Sequence, residues 1–266
     1  MPLSSSRSTP QRGLIRRILE PALFLWLRSQ VESVAKLEVQ LDCGDRQVLS
    51  GFITRLSLEA HQVIYQGLHL SHLQLTAQDI QINIGQVLKG KALQLIAPLP
   101  VEVTVQLSPD DVQSSLHSGL LQDALIDALL TLIGEQIEDA LGGNLRSQTL
   151  ALQAPQIQLS ESHLQLSTQL WDQVRKAAVP ISLKTGLVLA RPNALMLLHP
   201  EWLPTPNAKR GLPLQDLHGH CFDLGDEAQL KSFILSTEGI SAHGQLLVLP
   251  ATNAEQEHPV RNSLNQ

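Results

Sequence analysis

Long stretches of period-two alternation constrain the fold of this chain more than any other feature of its sequence. From residue 37 to about residue 84, apolar residues occupy alternate positions in successive short runs, and the same spacing returns at 101–107. It recurs after residue 148 in seven short segments, the last of which contains Leu246 and Val248. Successive side chains of a strand point to opposite faces of a sheet, so the pattern predicts half-buried β-strands over most of the chain.

The alternation shifts by one residue at two places in the first half. One shift lies between Leu70 and Leu73, and the other lies between Ala77 and Ile80. A bulge or bend at each place would keep the apolar side chains on one face. Such irregularities let long strands curl, and Gly67, which lies between two of the runs, suits a tight turn.

Helical signals occur in three stretches. Pro21 starts a stripe of apolar residues with helical spacing that is predicted to end near Lys36. The motif Ser-Pro-Asp-Asp at 108–111 is typical of a helix start, and a longer helix is predicted over 119–141, ending at the glycines 142–143. That helix is apolar nearly all the way round, so it must be covered. It is either a central core helix or a helix that shares its surface with a lipid tail.

The charge of the chain is unevenly distributed. Residues 1–18 contain four arginines and no acidic residue, which leaves 15 basic against 25 acidic residues in the remainder. We expect a basic leader at 1–18, a single α+β domain at 19–250 and a flexible tail at 251–266. Two interpretations of the leader stay open: an amphipathic segment that attracts an anionic membrane surface through Arg12, Arg16 and Arg17, or a disordered tail.

Composition excludes several classes of protein. An acidic body with 3% aromatic residues lacks the basic face and stacking rings of a nucleic-acid binder. Charges and a proline interrupt residues 14–27, so this segment is predicted to be neither a signal-peptide core nor a membrane anchor. Cys43 and Cys221 form no C-x-x-C pair. The expected location is therefore cytoplasmic, with any membrane contact made at the protein surface.

Several segments resemble one known family. The segments LSGFI at 49–53, VIYQGL at 63–68 and LQLTA at 73–77 look like the core of the LmeA-type phospholipid-binding family, also known as domain of unknown function 2993. The segments LWLRSQVES at 25–33 and LSPDDVQSSL at 107–116 resemble members from photosynthetic bacteria. The resemblance rests on the order and spacing of these segments and covers roughly residues 20–250.

The resemblance implies both a fold and a function. The implied fold is a strongly curved antiparallel sheet wrapped around a long apolar helix, similar to tubular lipid-binding (TULIP-like) domains. The implied function is non-catalytic binding of phospholipid or another acyl lipid in an apolar lumen, as a carrier or sensor at a membrane surface. The member that names the family is exported and tethered to a membrane, whereas this chain shows no convincing signal peptide, so location and biological role do not transfer.

The predicted lipid-binding residues come from the first helix, the alternating strands and the long helix. They are Leu23, Trp26, Leu58, Leu75, Leu125, Leu129 and Ile133. Burying an acyl chain contributes ~0.8 kcal/mol per CH₂, so an aliphatic lumen could hold a lipid without polar contacts. Headgroup selectivity would need cations at the mouth of the lumen. The candidates are Arg46, Arg55, Lys89 and Lys91, for which ordinary solvation is the competing explanation.

Two other functional classes remain as rivals. One is a scaffold whose sealed core serves only to bind protein partners, and the other is an esterase in which a serine and a histidine meet in a cleft. No nucleophile elbow, zinc-protease or nucleotide-binding motif occurs, and neither an enzyme nor a cofactor is predicted.

Two groups of polar residues contain the residue types of a possible metal or catalytic site. His218, His220 and Cys221, together with His69 and His72, have weak metal-ligand spacing, and a loop cluster without a metal is the favoured interpretation. Asp123 and Asp127 are interpreted as the exposed stripe of the long helix rather than as paired catalytic carboxylates.

Overall fold

The computed structural model describes residues 23–250, except residues 26, 45–46, 48–49, 88, 92 and 142–146. Most of the described chain forms two antiparallel sheets, as the alternation predicts. The first sheet is strongly curled into a half-barrel, and its strands lie in the order β1-β2-β3-β4-β12-β11. These strands are β1 (Ser33–Asp42), β2 (Phe52–Tyr65), β3 (Leu68–Gln81), β4 (Leu99–Leu107), β11 (Ala228–Ser236) and β12 (Gly239–Val248).

The second sheet is built from the middle of the chain. Its strands are β5 (Leu150–Ser160), β6 (His163–Asp172), β7 (Ala177–Arg191), β8 (Ala194–Trp202), β9 (Leu212–Pro213) and β10 (Cys221–Asp223). The order is β10-β8-β7-β6-β5, and the short β9 pairs with β8. The two sheets meet where β11 contacts β5, β6 and β7.

The hairpin of β2 and β3 confirms the predicted shifts in alternation. Asp79 has a positive φ of 54° and lies between Ala77 and Ile80. Gln62, with φ 50°, lies on β2 at the level where β3 shifts between Leu70 and Leu73. On both strands the alternation of apolar residues shifts by one residue at the same two positions, so the pairing of β2 with β3 stays in register along the hairpin. The apolar side chains therefore stay on one face while the strands curl.

The first helix is shorter than predicted. Residues 23–25 and 27–29 are helical, but the chain enters β1 at Ser33 instead of continuing as a helix to Lys36. Val34 pairs with Val63 of β2, so its apolar side chain serves the sheet and not the helix. Further α-helices among the described residues include α1 (Ile84–Val87), α2 (Pro109–Ser115) and α3 (Gly119–Leu141).

Helix α2 begins where the Ser-Pro-Asp-Asp motif predicts. The Ser108 hydroxyl accepts a hydrogen bond from the Asp111 N–H, and the Asp111 carboxylate accepts one from the Ser108 N–H, which makes a capping box. Gln113 then ties the helix to β5: its side-chain amide donates to the Pro155 carbonyl at 2.8 Å and accepts from the Ile157 N–H at 3.0 Å. Helix α2 thus links the first sheet to the second.

Helix α3 packs on the second sheet, mainly against β5 and β7, and is interrupted at Ile133, where φ is −138° and ψ is 26°. Its buried stripe is Ile126, Leu129, Ile133 and Ile137, which meets Leu170 and Ile181. This corrects the predicted arrangement, in which the curled first sheet surrounds the long helix. Asp123 and Asp127 lie on its exposed side, as predicted.

No single helix among the described residues is long and apolar enough to span a membrane. The pair α2 and α3, bent by 82°, meets that criterion jointly, on length and composition alone.

Candidate functional site

The concave side of the first sheet encloses an apolar cavity of about 160 Å³. Every described residue that lines it is aliphatic. From the first helix and the sheet these are Leu23, Leu27, Ile53, Leu56, Leu58, Leu75, Ala77, Ile80, Leu99, Val101, Val103, Leu246 and Val248, and from the segment after β3 they are Ile82, Leu93 and Leu95. Such a surface offers dispersion contacts and exclusion of water, but no hydrogen bond.

The strand register creates this aliphatic wall. Leu58 lies across from Val39 on one side and from Leu75 on the other, and Leu75 in turn pairs with Val103. Each row of cross-strand partners therefore places branched aliphatic side chains next to one another on the same face. Leu75 and Val103 stay half-buried after the sheet has formed, so the wall is incompletely covered by the rest of the chain.

The floor of the cavity is formed by the first helix and the segment that follows β3. Leu23 is buried against this wall, and Ile82 pairs with Leu95 to hold the segment in place. Gly51 makes the close approach possible, because its φ is +81° and a Cβ there would lie 2.5 Å from the Ile82 carbonyl oxygen. The Ile82 N–H also donates to the Gly51 carbonyl at 2.8 Å.

The structure separates the predicted site residues into two groups. Leu23, Leu58 and Leu75 line the cavity. The three predicted from the long helix lie elsewhere: Leu129 and Ile133 are buried in the core on the second sheet, and Leu125 packs against that core. The reason is that α3 packs on β5 and β7 rather than inside the curled sheet.

The remaining predicted residues, Trp26, Arg12, Arg16 and Arg17, lie outside the part of the chain that the structure describes. Their roles in lipid or membrane binding stay predictions. The same holds for the extent of the single domain proposed for 19–250.

Sequence reasoning missed much of the cavity lining. Leu93 and Leu95 alternate over only three residues, and only the structure shows that they close the floor. Val101, Leu246 and Val248 belong to strands that the alternation does predict. Their shared wall depends on the pairing of β4 with β12, which are more than a hundred residues apart along the chain.

A second, more polar cavity of about 330 Å³ lies at the ends of β4, β11 and β12, where Ser71 and Ser108 line it. Both hydroxyls donate to the Asp111 carboxylate. Burial raises the pKa of this carboxyl, but the hydrogen bonds from the two serines outweigh burial and hold the pKa below its usual value. Both serine hydroxyls are therefore engaged by the Asp111 carboxylate.

The histidines near Cys221 engage in local contacts. His199 and His218 stack with their ring centroids 4.7 Å apart, and His220 meets Phe222 edge to face. The Cys221 thiol donates to the Gly219 carbonyl. Among the described residues, the three potential metal ligands that converge lie instead on the outer face of the first sheet, and they include only His72 of the residues considered from the sequence.

Fold and cavity together define a mostly antiparallel β protein with a curled sheet and an aliphatic internal site. The chain belongs to the LmeA-like phospholipid-binding family, whose family model matches residues 11–232. No curated protein and no solved structure matches the chain.

Proposed function

We propose that this protein binds phospholipid or another acyl lipid without catalysis, holding part of one tail in the aliphatic cavity of the first sheet. The cavity itself is the observation that carries the proposal, since its described lining is entirely aliphatic and partly exposed. Membership of a phospholipid-binding family supports the same ligand class. The curled sheet with its apolar interior is also the feature that we expect to be shared with tubular lipid-binding domains.

The size of the cavity limits how much lipid it encloses. A cavity of ~150 Å³ holds a benzene-sized molecule, so about 160 Å³ corresponds to a short section of one acyl chain. At ~0.8 kcal/mol per CH₂, six enclosed methylenes contribute about 5 kcal/mol. The remainder of the tail and the headgroup would lie outside unless the floor moves. This favours partial capture of a lipid, which suits a sensor or a carrier that acts at a membrane surface.

The segment between α1 and β4 is our candidate for the contact with that surface. Ile96 is 60% exposed and follows Leu95, which lines the cavity. Lys89 and Lys91 are exposed in the turn just before Leu93, another lining residue. Apolar and basic side chains beside an acyl-chain site suit an anionic membrane surface, because each base near such a surface contributes ~1 kcal/mol. The basic leader with Arg12, Arg16 and Arg17 is proposed as a second contact.

A non-catalytic role is supported by the chemistry of both cavities. The residues described in the aliphatic lining supply no nucleophile, base or oxyanion donor from their side chains. In the polar cavity, Ser71 and Ser108 donate to Asp111 within the capping box of α2, which gives these residues a structural role.

Native mass spectrometry of the untagged protein, purified without detergent, tests the proposal. We expect a population whose added mass equals one phospholipid, and we expect that mass to disappear after organic extraction. The rival scaffold function requires a sealed core. Apo protein only, after incubation with phospholipid vesicles, would favour that rival and contradict our proposal.

A further inference from the structure

Three potential metal ligands converge on the outer face of the first sheet, on the opposite side from the aliphatic cavity. They are Glu59 and His61 on β2 and His72 on β3. His61 and His72 are direct cross-strand partners, and Glu59 lies two residues before His61 on the same face. The Glu59 Oε1 atom lies 3.3 Å from His61 Nε2 and 3.1 Å from His72 Nε2.

The spacing of these donor atoms fits a zinc-type ion. Zinc binds imidazole nitrogen at ~2.0–2.1 Å and carboxylate oxygen at ~2.0–2.2 Å, so two ligands of a tetrahedral site are about 3.4 Å apart. Both nitrogen-to-oxygen distances are close to that separation, and all three donor atoms lie within 4.8 Å of one another. The two rings are nearly parallel, with their centroids 4.7 Å apart, so both present the same edge to the carboxylate.

The charges next to Glu59 favour the binding of a cation. Glu38 of β1 lies directly across from Glu59, which places two carboxylates at adjacent positions of the sheet. Like charges in this arrangement are destabilising unless a cation offsets them. Lys36, the partner of His61 on β1, donates to Glu38 at 2.7 Å and also interacts electrostatically with Glu59, so it offsets part of this repulsion.

The ligands are also accessible. The side chains of Glu59, His61 and His72 are 43%, 41% and 19% exposed, so an ion and its water can reach them from solvent. From this geometry we infer that Glu59, His61 and His72 bind a divalent transition-metal ion of the zinc class. Three protein ligands leave a fourth position for water. This inference does not depend on lipid binding, because the site faces away from the cavity.

Titration of the untagged full-length chain with ZnCl₂ by isothermal calorimetry tests the inference. We expect one saturable site per chain, and a loss of affinity of at least ~100-fold in each of Glu59→Gln, His61→Gln and His72→Gln. Even an outer-shell partner of a metal ligand is worth about 10–100-fold, and these residues would be direct ligands. Glu59→Gln is the most discriminating of the three variants, because its amide oxygen still accepts hydrogen bonds from the two rings. A loss of zinc affinity in this variant therefore reports the loss of a carboxylate ligand rather than the loss of those hydrogen bonds.

A matched control is available on the same face of the sheet. His243 lies 3.5 Å from Glu102, which also pairs with Lys231 at 2.8 Å, so this pair has a cation in place of a third ligand. His243→Gln should leave zinc affinity unchanged, and zinc should raise the melting temperature of the wild-type and control proteins only. The inference is overturned by the absence of saturable binding in the wild type, or by unaltered affinity in Glu59→Gln, which would mean that the cluster is only a hydrogen-bonded triad.

Discussion

Replacing Ala77 by phenylalanine should abolish lipid binding while leaving the fold intact. Ala77 lies on β3 between Leu56 and Val101, and all three line the cavity. The substitution adds a phenyl ring to the aliphatic space. A cavity of ~150 Å³ holds one benzene-sized molecule, so this ring would occupy nearly all of the roughly 160 Å³ that is open.

The expected loss of affinity follows from the volume that the ring takes. A benzene-sized space corresponds to about six methylenes, and each methylene kept from burial costs ~0.8 kcal/mol. The total is about 5 kcal/mol, which is more than a thousandfold in the dissociation constant. Because the ring enters space that is already open, the free energy of unfolding should fall by no more than the ~1–3 kcal/mol typical of an overpacked core.

Binding of a fluorescent fatty acid, together with urea unfolding, measures both quantities. Ala128→Phe is the matched control, because Ala128 is a half-buried alanine on α3, away from the cavity. It should retain wild-type affinity. Normal binding by the Ala77→Phe variant would refute the placement of the site. Loss of binding by Ala128→Phe alone would instead favour the long helix as the lipid site.

Reversing the charge of both Lys89 and Lys91 should weaken flotation with anionic vesicles at least about tenfold at low salt; equal flotation of the variant and the wild type would contradict the proposed membrane contact. Gly51→Ala should destabilise the fold more than Gly90→Ala in urea, since both have positive φ but a Cβ at the former would meet a backbone oxygen at 2.5 Å, while the latter has open space. Asp172 is buried, and a hydrogen bond from a neighbouring guanidinium lowers its pKa despite burial. The stabilisation from this lowered pKa is fully present above the unfolded pKa of about 3.9 and is lost as the pH falls through the lower pKa of the folded state. The urea midpoint should therefore drop in acid less steeply in Asp172→Asn than in the wild type.

Local sequence patterns predicted the individual elements well. The alternation identified most strands of both sheets but not the short β9 and β10. The two shifts in β3 lie at the levels of Gln62 on β2 and Asp79 on β3, which both have a positive φ. The helix start at Ser108 was also predictable, because a capping box depends on residues three apart in sequence. Each of these features is determined by near neighbours along the chain.

The position of the long helix could not be read from the sequence in the same way. A helix that is apolar nearly all the way round must be covered, but its composition does not say by which sheet. Ile126, Leu129 and Ile137 face the second sheet because β5 and β7 supply the matching surface. The cavity floor was missed for the same reason, since Leu93 and Leu95 gain their role only from the tertiary fold.

The separation of the two cores explains how this protein can keep an open apolar site and still fold. Apolar side chains such as Leu56, Leu75 and Val103 stay half-buried beside the cavity, so they contribute less burial free energy than well-packed core residues do. The core between α3 and the second sheet is a separate cluster, in which Ile133 and Ile137 are almost inaccessible to solvent. A substitution in that core should therefore change stability without changing the shape of the cavity. The long helix thus belongs to one core, and the proposed lipid site lies in the other.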